Sequence, residues 1–432
     1  MSASPAVLLI DPIERASGTV HLPGSKSISN RALLLSALAG GETTLDNLLE
    51  ADDTRVMRKS LTDLGIHSLQ EGLSLRVGGC SGRFPVREAS LFLGNAGTAL
   101  RSLTAALAFS GGRYELDGVA RMRERPIADL VAALNQLGAR IRYIGATGFP
   151  PLAVDQAHRL SSDRVSINAT VSSQFLSGLL IAAPLIAPEQ GLQIDLDGDL
   201  TSRPYVDLTV SLMNRFGVSV ARSRGGYLVP SAPYRSPGRF VVEGDASSAS
   251  YFLALGAIAG GPVRVVGIGR DSIQGDVRFA HALADMGADV ELGAHHVEVS
   301  RAATSRLRAI DTDCNDIPDA AMTLAMVALF ADAPSMLRNI GSWRVKETDR
   351  ISAMATELRK VGAQVEEGTD WIRITPPEQF REATIDTYDD HRIAMCFSLV
   401  AAGGVPVHIR NPQCVAKTFP DYFDRLAALV RR

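Results

Sequence analysis

Leu61-Thr62-Asp63-Leu64-Gly65-Ile66 belongs to a segment that recurs, with changes, along the whole chain. In each copy an amphipathic helix ends in glycine, an apolar residue follows, and a short alternating strand comes next. The other copies are Leu134-Asn135-Gln136-Leu137-Gly138-Ala139, Met213-Asn214-Arg215-Phe216-Gly217-Val218, Leu283-Ala284-Asp285-Met286-Gly287-Ala288 and Leu358-Arg359-Lys360-Val361-Gly362-Ala363. Successive glycines are 73, 79, 70 and 75 residues apart. That period is too long for a solenoid and suits a unit of βαβαββ size.

A second series of helices, apolar and rich in small residues, lies between these segments. Their predicted starts are near Arg31, Thr98, Ser173, Ser248, Ala320 and Arg392. Helices that are apolar on all sides are buried inside a domain. A sixth amphipathic helix, at 422–430, has no strand after it, and we expect the segment 6–10 to fold back beside it as the missing strand. The two interleaved series predict six α/β units with helices buried inside.

Composition excludes several classes of protein. The chain has 432 residues, with 44 Lys plus Arg and 47 Asp plus Glu, for a formal net charge of −3. Two or three domains are expected, and nucleic-acid binding through a general basic surface is not. The apolar stretches 175–187 and 320–331 are shorter than the ~18 residues of a membrane span. The amino-terminal segment lacks the pattern of a signal peptide, so we expect a cytoplasmic protein without a membrane partner.

The four cysteines provide no metal or redox motif. Cys80, Cys314, Cys396 and Cys414 lie too far apart for the short spacings of a zinc site or a dithiol. We therefore expect a reducing compartment and no metal.

Polar residues precede each buried helix. They are Gly24-Ser25-Lys26-Ser27, Gly94-Asn95-Ala96-Gly97-Thr98, Ser172-Ser173-Gln174, Glu243-Gly244-Asp245, Asp319 and Asp389-Asp390-His391-Arg392. Free amide groups and the helix dipole favour anions at such positions. The alternative for any single Ser or Asp, and above all for Asp245, is a simple helix cap. Together the segments predict several anion sites.

Three groups of charged residues are candidates for chemistry. Lys26 and Arg31 stand before an apolar helix, but the spacing is not that of a nucleotide phosphate loop. Arg125 precedes a helix predicted from Ile127, with Pro126 in its first turn, and suits a bidentate anion clamp. Arg121 and Arg123 fit a solvated surface patch equally well.

Lys346 and Glu347 lie beside Arg350 in a segment predicted to open the helix that ends at Gly362. Neighbouring positive charges tune the pKa values of such groups, so proton transfer near an anion is one interpretation. A surface salt-bridge network is the other.

Ten segments spread over essentially the whole chain closely resemble the 5-enolpyruvylshikimate-3-phosphate (EPSP) synthase family. They are LPGSK (22–26), SNRALLLSALA (29–39), LFLGNAGTA (91–99), RERPI (123–127), VSSQF (171–175), EGDASSASYF (243–252), IPDAAMT (317–323), WRVKETDR (343–350), DHRIAMCFSLVA (390–401) and AKTFPDYF (416–423). The resemblance implies an α/β fold of two similar domains. Each domain has three βαβαββ units with buried parallel helices, an inside-out α/β barrel, and the active site lies in the interdomain cleft.

The expected domains are residues 1–23 with 244–432, and residues 24–243. The chain would cross between them near 22–24 and 242–244, with glycines as hinges for closure on ligand.

The resemblance also implies an activity without cofactors. The family transfers the enolpyruvyl group of phosphoenolpyruvate to the 5-hydroxyl of shikimate 3-phosphate, in the pathway to chorismate and the aromatic amino acids, and glyphosate inhibits it. By motif, the shikimate 3-phosphate site resembles Lys26, Ser27, Arg31, Ser172, Ser173, Gln174, Ser202, Asp319, Ser342 and Lys346. The phosphoenolpyruvate site resembles Lys26, Asn95, Gly97, Arg125, Gln174, Arg350, His391, Arg392 and Lys417. The catalytic set is Asp319, Lys346, Glu347 and Lys26, and we expect a monomer.

Two positions depart from the family's pattern. Ser342 stands where many relatives have an Asn that contacts shikimate 3-phosphate, and Ser102 stands where many have Pro. Ser102 is expected to change the placement of the helix that carries Gly97, and with it the sensitivity to glyphosate.

The implied mechanism is addition followed by elimination. Asp319, helped by Lys346, takes the hydroxyl proton while Glu347 protonates the methylene carbon, although the assignment of acid and base among these three stays open. The related transferase that acts on UDP-N-acetylglucosamine uses a loop cysteine, and no cysteine lies near 121–125. An inactive relative that binds sugar phosphates and an ATP-using enzyme are the remaining alternatives.

Overall fold

A computed structural model of the chain describes residues 6–157, 160 and 162–431. The chain divides into two compact units, the first formed by Met1–Pro23 and Glu243–Arg432 and the second by Gly24–Val242. Residues 1–5 and 432 of the predicted first domain lie outside the described residues. Both divisions fall beside the stretches 22–24 and 242–244, where the sequence predicts the crossings. Hinge motion at these crossings stays a prediction.

The amino-terminal segment of the first unit contributes three short strands. They are β1 (Val7–Ile10), β2 (Arg15–Ala16) and β3 (Gly18–His21).

The second unit contains twelve strands and six helices among its described residues. The strands are β4 (Glu42–Asp46), β5 (Ser68–Glu71), β6 (Ser74–Gly78), β7 (Glu88–Phe92), β8 (Arg113–Asp117), β9 (Arg140–Tyr143), β10 (Leu152–Asp155), β11 (Arg164–Asn168), β12 (Leu192–Asp197), β13 (Ala221–Ser223), β14 (Gly226–Val229) and β15 (Arg239–Val241). The helices are α1 (Lys26–Leu38), α2 (Asp52–Asp63), α3 (Gly97–Leu107), α4 (Ala128–Gln136), α5 (Ser173–Ala182) and α6 (Arg203–Arg215).

Three four-stranded sheets form the outside of this unit, with the orders β15-β4-β6-β5, β7-β8-β10-β9 and β11-β12-β14-β13. In each sheet the first pair is parallel and the other two pairs are antiparallel. Each sheet is therefore one copy of the repeat.

The rest of the first unit adds ten strands and six helices in the part that the structure describes. The strands are β16 (Val263–Val266), β17 (Asp289–Leu292), β18 (His296–Ser300), β19 (Asp311–Asp313), β20 (Ser335–Arg338), β21 (Gln364–Glu367), β22 (Ile372–Thr375), β23 (Ala383–Ile385), β24 (Val407–Arg410) and β25 (Val430–Arg431). The helices are α7 (Ala246–Ile258), α8 (Phe279–Asp285), α9 (Ala321–Ala328), α10 (Arg350–Lys360), α11 (His391–Ser398) and α12 (Tyr422–Leu429). The sheets have the orders β17-β18-β16-β3, β19-β20-β22-β21, β1-β24-β23 and β2-β25.

Buried helices fill each unit. In the second unit α1, α3 and α5 are buried along nearly their whole length, and in the first unit α7, α9 and α11 are. These are the six apolar helices of the second series. The predicted α/β fold of two similar units, each with three βαβαββ repeats around buried helices, is confirmed. Only the start of α1 differs by a full turn, because Ser25 caps the helix before Lys26 rather than near Arg31.

The glycines of the first series end their helices as predicted. Gly65, Gly138, Gly217, Gly287 and Gly362 follow α2, α4, α6, α8 and α10 and have φ between 86° and 102°. A side chain in that left-handed region carries a steric cost that glycine avoids.

The sixth repeat differs from the prediction. A two-residue strand, β25, does follow α12 and pairs with β2. The segment 6–10 does supply a strand, β1, but β1 pairs with β24 instead of lying beside α12. In the sheet β1-β24-β23, β1 occupies the place that the fourth strand of the repeat takes elsewhere.

Two predicted helix starts are also wrong. The helix after Pro126 begins at Ala128, so the proline precedes the first turn. The segment around Lys346 is not helical: a 3₁₀ turn spans Gly341–Val345, and α10 begins only at Arg350, where Asp349 caps it.

Gly24, at the first crossing, is required by close packing. A Cβ atom on Gly24 would lie 1.9 Å from the carbonyl oxygen of Asn47, far inside van der Waals contact. Across the described residues, no helix is long and apolar enough to cross a membrane.

Candidate active site

Lys26 begins α1 in the second unit. The side chain is nearly buried, and its Nζ lies 3.8 Å from a carboxylate oxygen of Asp53, which is buried as well. The Ser25 hydroxyl oxygen accepts a hydrogen bond from the Ile28 amide at 3.5 Å and so caps the helix. A cation therefore stands where the free amides of a helix end also favour an anion.

Arg31 lies one turn further along α1 and is buried. Its guanidinium donates to the Thr209 hydroxyl at 2.8 Å, to the Ser27 carbonyl at 3.0 Å and to the Ser177 hydroxyl at 3.5 Å. Burial lowers the pKa of Arg31 to about 10, so the side chain is still protonated at neutral pH. Because these three acceptors are uncharged, they orient the guanidinium without neutralising it. Such a group suits a phosphate or carboxylate ligand.

Arg125 is held against the start of α3. Its Nη1 donates to both the backbone oxygen and the side-chain oxygen of Asn95, each at 3.1 Å. A Cβ atom on Gly97 would lie 2.4 Å from Nη2 of Arg125 and 2.7 Å from Nη1 of Arg101. Only glycine allows two guanidinium groups to approach the first residue of α3 this closely. The start of α3 thus brings Asn95 and Gly97 into contact with the charged guanidinium of Arg125.

The neighbouring arginines lie at the surface. Arg121 forms an ion pair with Glu124 at 2.9 Å, and Arg123 donates from Nε to Asp117 at 2.9 Å. These are the partners expected of a solvated patch.

The serines of the predicted sugar-phosphate site stand at two helix starts. Ser172 caps α5 by accepting from the Gln174 amide at 3.3 Å, and Ser173 beside it is buried. Ser202, also buried, precedes α6 with a left-handed φ of 51°. Helix α5 contacts both neighbouring helices: the Ser177 hydroxyl accepts from Arg31, and Gly178 lets the backbone of α5 approach the backbone of Arg101. We call the residues Lys26, Arg31, Asn95, Gly97, Arg125, Ser172, Ser173, Gln174 and Ser202 the cationic cluster.

The first unit holds a second cluster, centred on Asp319. One carboxylate oxygen of Asp319 accepts from Arg392 at 2.8 Å, and the other accepts from Arg350 at 3.3 Å and lies 3.9 Å from Lys346 Nζ. Asp319 is nearly buried, so three cations surround a carboxylate with little access to water.

Arg350 connects the carboxylates of this cluster. Its guanidinium donates to Glu347 at 2.8 Å, to Asp319 at 3.3 Å and to Asp390 at 2.7 and 3.2 Å. Burial alone disfavours the charge, but the three carboxylates outweigh it and raise the pKa of Arg350 above its ordinary value. Asp319 and Glu347 therefore share one permanently charged group. We call Asp319, Lys346, Glu347, Arg350, Asp390, Arg392 and Lys417 the acid–base cluster.

The remaining predicted residues of this unit are Lys417, His391 and Ser342. Lys417 ends a 3₁₀ turn, Pro412–Lys417, with Nζ 3.9 Å from Glu347. His391 is the buried first residue of α11, with Nδ1 3.5 Å from Asp390. Ser342 is buried in the turn Gly341–Val345. The Trp343 indole donates to the Pro318 carbonyl at 2.8 Å and so ties that turn to the residue before Asp319.

Asp276 is a buried carboxylate that sequence reasoning missed. It accepts hydrogen bonds from the Ser247 hydroxyl and from the Ala320 amide, the latter at 3.4 Å. Burial first, and then the charge of Asp319, raise the pKa of Asp276 to about 6. In the sequence it is one acidic residue in a polar loop, far from Ser247 and Asp319. Nothing in the pattern therefore marks it as buried.

No group of three or more His, Cys, Asp or Glu side chains able to hold a metal ion occurs in residues 6–157, 160 and 162–431. The charges of both clusters are instead arranged around arginine and lysine.

A sequence model of the EPSP synthase family, 3-phosphoshikimate 1-carboxyvinyltransferase, matches residues 10–426. The chain belongs to the EPSP synthase family. It is 57% identical over 428 residues to a 3-phosphoshikimate 1-carboxyvinyltransferase of Paraburkholderia phytofirmans, covering 98% of this chain and 99% of that relative. A 3-phosphoshikimate 1-carboxyvinyltransferase of Thiobacillus denitrificans is 60% identical over 421 residues, covering 96% of this chain and 98% of that relative.

Solved structures of EPSP synthases share the fold. The EPSP synthase of Acinetobacter baumannii aligns with a TM-score of 0.80 at 24% identity and covers 98% of each chain. The enolpyruvyl transferase NikO from Streptomyces tendae aligns with a TM-score of 0.77 at 20% identity, covering 99% of this chain and 98% of its own. At these identities the likeness concerns the fold.

Proposed function

We propose that the acid–base cluster carries out the proton transfers of this enzyme and that the cationic cluster binds the anionic groups of the same two substrates. The chain transfers the enolpyruvyl group of phosphoenolpyruvate to the 5-hydroxyl of shikimate 3-phosphate and releases phosphate. One observation carries the proposal. Asp319 and Glu347 contact two nitrogens of the same buried guanidinium, at 3.3 and 2.8 Å from Arg350. Two carboxylates joined in this way can serve as base and acid in one step.

The first step is addition. Asp319, with Lys346 beside it, takes the proton of the 5-hydroxyl as that oxygen bonds to C2 of phosphoenolpyruvate. Glu347, entering the step protonated, gives its proton to the methylene carbon, which becomes a methyl group. The product is a tetrahedral ketal phosphate, and both carboxylates have exchanged their protonation states.

The second step is elimination. Glu347, now ionised, takes a proton back from the methyl carbon as the bond from C2 to the phosphate oxygen breaks, and the proton that Asp319 took in the first step passes to the departing phosphate. Both carboxylates thereby return to their starting states. The departing phosphate carries the charge, and Lys26, Arg125 and Arg392 lie in the two clusters as its counter-charges. Positioned cations that meet charge as it develops are a large part of catalysis in such sites.

Substrate recognition is assigned residue by residue. We propose that Lys26, Ser27, Arg31, Ser172, Ser173, Gln174, Ser202, Asp319, Ser342 and Lys346 contact shikimate 3-phosphate. We propose that Lys26, Asn95, Gly97, Arg125, Gln174, Arg350, His391, Arg392 and Lys417 contact phosphoenolpyruvate, and that glyphosate acts as inhibitor. The buried, permanently charged side chains of Arg31, Arg125, Arg350 and Arg392 support both sets.

We also propose a cytoplasmic monomer that needs no cofactor. All four cysteines are free, and burial raises the pKa of Cys314, Cys396 and Cys414 to about 12, which leaves these thiols unreactive.

Phosphate release by the purified chain tests the function. The assay combines shikimate 3-phosphate with phosphoenolpyruvate in the presence of a chelator and without nucleotide. Release that needs both substrates supports the transferase, and UDP-N-acetylglucosamine in place of shikimate 3-phosphate should give none. Binding without release would point to an inactive sugar-phosphate binder.

A pair of variants tests the base. Asp319→Asn removes the buried carboxylate and should abolish release, whereas Asp311→Asn removes an exposed carboxylate that pairs with Arg338 and should leave release unchanged. Full activity of Asp319→Asn would remove Asp319 from the chemistry.

A further inference from the structure

The turn from Asp386 to Asp390 places the first residues of α11 at the acid–base cluster. Within it, Tyr388 and Asp389 both have left-handed backbone conformations, with φ of 54° and 55°. Residues other than glycine adopt this region infrequently, and two in succession persist only where neighbouring structure imposes them. The turn therefore needs contacts from outside to keep its shape.

Helix α10 supplies some of these contacts through Glu357. This carboxylate is fully buried, and one of its oxygens accepts a hydrogen bond from the Tyr388 hydroxyl at 2.7 Å. The other oxygen accepts from the Asp386 amide at 3.1 Å and lies 2.7 Å from Lys360 Nζ. Glu357 thus binds both the side chain and the backbone of the turn, and Lys360 compensates its charge.

The same face of α10 binds the other end of the turn. Arg350 precedes Glu357 by seven residues, which is two helical turns, so the two side chains lie on one face. Arg350 donates two hydrogen bonds to Asp390, at 2.7 and 3.2 Å. One helix therefore fixes the distance and direction between Tyr388 and Asp390.

The end of β24 holds the opposite side of the turn. Arg410 donates to the Asp386 carboxylate at 2.7 Å, and its carbonyl accepts from the Thr387 hydroxyl at 2.9 Å. The Asn411 side chain donates to Asp389 at 3.1 Å. With both sides held, the strained turn has a single shape.

We propose that Tyr388 and Glu357 are positioning residues: they hold the turn that places the Arg392 side chain where it contacts phosphoenolpyruvate. The path is short: the turn places Asp390, whose carboxylate accepts from the Arg392 amide at 2.9 Å, and the Arg392 guanidinium then reaches Asp319 at 2.8 Å. Loss of the Tyr388 hydroxyl lets the turn relax and shifts Arg392. The inference rests on the proposed contact between Arg392 and phosphoenolpyruvate.

Tyr388 suits a positioning role better than a core role. Its side chain is 41% exposed, so packing explains little of its placement. The hydroxyl nevertheless reaches a carboxylate with no exposed surface at all. The Tyr388 ring lies at the surface while its hydroxyl binds the buried Glu357 carboxylate. This hydrogen bond holds the backbone of the turn in place.

Steady-state kinetics of Tyr388→Phe test the proposal, because phenylalanine keeps the ring and removes only the hydroxyl. We expect the KM for phosphoenolpyruvate to rise about fivefold, the equivalent of one ordinary hydrogen bond, with the KM for shikimate 3-phosphate unchanged. A merely structural role would lower the active fraction, and therefore kcat, without this split between the two KM values. Tyr143→Phe, on the half-buried tyrosine of β9, is the matched control and should change neither KM.

Three further variants separate the possible failures: the single change at Glu357, its combination with Tyr388→Phe, and Arg392→Gln. If the pair acts through its mutual hydrogen bond, Tyr388→Phe combined with Glu357→Leu, which removes the acceptor, should raise the KM for phosphoenolpyruvate little more than the more damaging single change does. Fully additive effects on that KM overturn the coupling. Arg392→Gln should raise the KM for phosphoenolpyruvate more than Tyr388→Phe does. A normal KM in Tyr388→Phe with a raised one in Arg392→Gln overturns the positioning role alone. A normal KM in both overturns the contact of Arg392 with phosphoenolpyruvate and the positioning role with it.

Discussion

Arg125 and Arg123 are two positions apart, and their surroundings predict opposite results on substitution. Arg125 is buried with its guanidinium on Asn95, whereas Arg123 is exposed and paired with Asp117. A charge-assisted contact contributes roughly 1.5–3 kcal/mol. Arg125→Ala should therefore lower kcat/KM for phosphoenolpyruvate about tenfold or more, and Arg123→Ala should leave it within about twofold. Initial rates at varied phosphoenolpyruvate measure both, and equal effects would remove Arg125 from the site.

Asp276 makes the stability of the folded chain depend on pH. Because burial and Asp319 raise its pKa from 3.8 to about 6, the folded state binds more protons than the unfolded state between these values. The contribution of Asp276 to the free energy of unfolding therefore falls as the pH rises through about 4 to 6, and stays low above. Asparagine does not titrate. The unfolding free energy of Asp276→Asn, relative to that of the parent chain, should therefore rise by on the order of 2–3 kcal/mol between pH 4.5 and pH 8.

Urea unfolding of both chains at the two pH values measures that difference. The other charged groups facing Asp276 are Asp319, Arg392 and Asp245, and all three are kept in the variant. Asp289→Asn, an exposed carboxylate on β17, is the control and should show no pH-dependent gain. A gap between parent and Asp276→Asn that does not change with pH would mean that Asp276 titrates normally.

At this scale the sequence identifies charged residues next to helix starts and misses those whose partners are distant. Lys26 stands out because polar residues beside an apolar helix are an unusual local pattern, and Arg125 because Pro126 marks a helix start directly after it. Asp276 and Glu357 do not, since their burial depends on partners up to 44 and 31 residues away. Burial of a carboxylate is a property of the fold and has no local pattern.

Helix α3 links the departure at Ser102 to the cationic cluster. Ser102 is buried in the middle of α3, five residues after Gly97, which packs against Arg125. Proline there removes a backbone hydrogen bond and crowds the preceding turn, at a cost of roughly 3 kcal/mol in a helix that does not accommodate it. Ser102→Pro should lower the unfolding free energy by up to about that amount. It should also change glyphosate inhibition by shifting the start of α3.

Inhibition curves at one phosphoenolpyruvate concentration compare Ser102→Pro, Ser102→Ala and the parent chain. Alanine keeps the helix hydrogen bond and should resemble the parent. Identical curves for all three would show that residue 102 does not control the placement of Gly97.

Helices with a regular hydrophobic period can be predicted from the sequence, whereas very short strands and irregular segments cannot. The helices that end at Gly65 and Gly362 combine an apolar face with a capping glycine, two signals that agree. The strand β25 has only two residues, too few for any alternation to appear. The segment 346–349 is predicted to be helical. In the structure Asp349 caps α10, which begins at Arg350, so Lys346 and Glu347 lie in irregular chain before the helix. Their place in the acid–base cluster depends on this late start of the helix.

On the scale of the whole chain, the six-fold repeat predicts the number of α/β units. It does not predict that two first strands, β3 and β15, pair with strands of other repeats. The repeat places a first strand before every buried helix. In the structure β3, before α1, pairs with β16, and β15, before α7, pairs with β4. β15 and β4 are more than 190 residues apart in the sequence. Their pairing is a consequence of the two crossings between the units, and no local sequence pattern indicates it.

The amino-terminal strands are therefore structural members of the first unit. β1 pairs with β24, β2 with β25 and β3 with β16, and Ile10, Ile13, Val20 and Leu22 are buried in that unit's core. Burial of one such side chain contributes roughly 1.5–3 kcal/mol. Four of them together approach the roughly 5–15 kcal/mol that stabilises an ordinary domain. Removal of residues 1–22 should unfold the first unit and abolish activity.

Limited proteolysis and urea unfolding of the truncated chain test this expectation. Cleavage sites should appear throughout 243–431 and remain rare in 24–242, because the three sheets of the second unit are complete without the removed strands. The control replaces Val7 and Leu9, the exposed residues of β1, with threonine, which keeps the strand and its backbone pairing with β24. That variant should unfold like the parent chain. A truncated chain that resists protease equally in both units would show that the first unit closes its sheets without β1, β2 and β3.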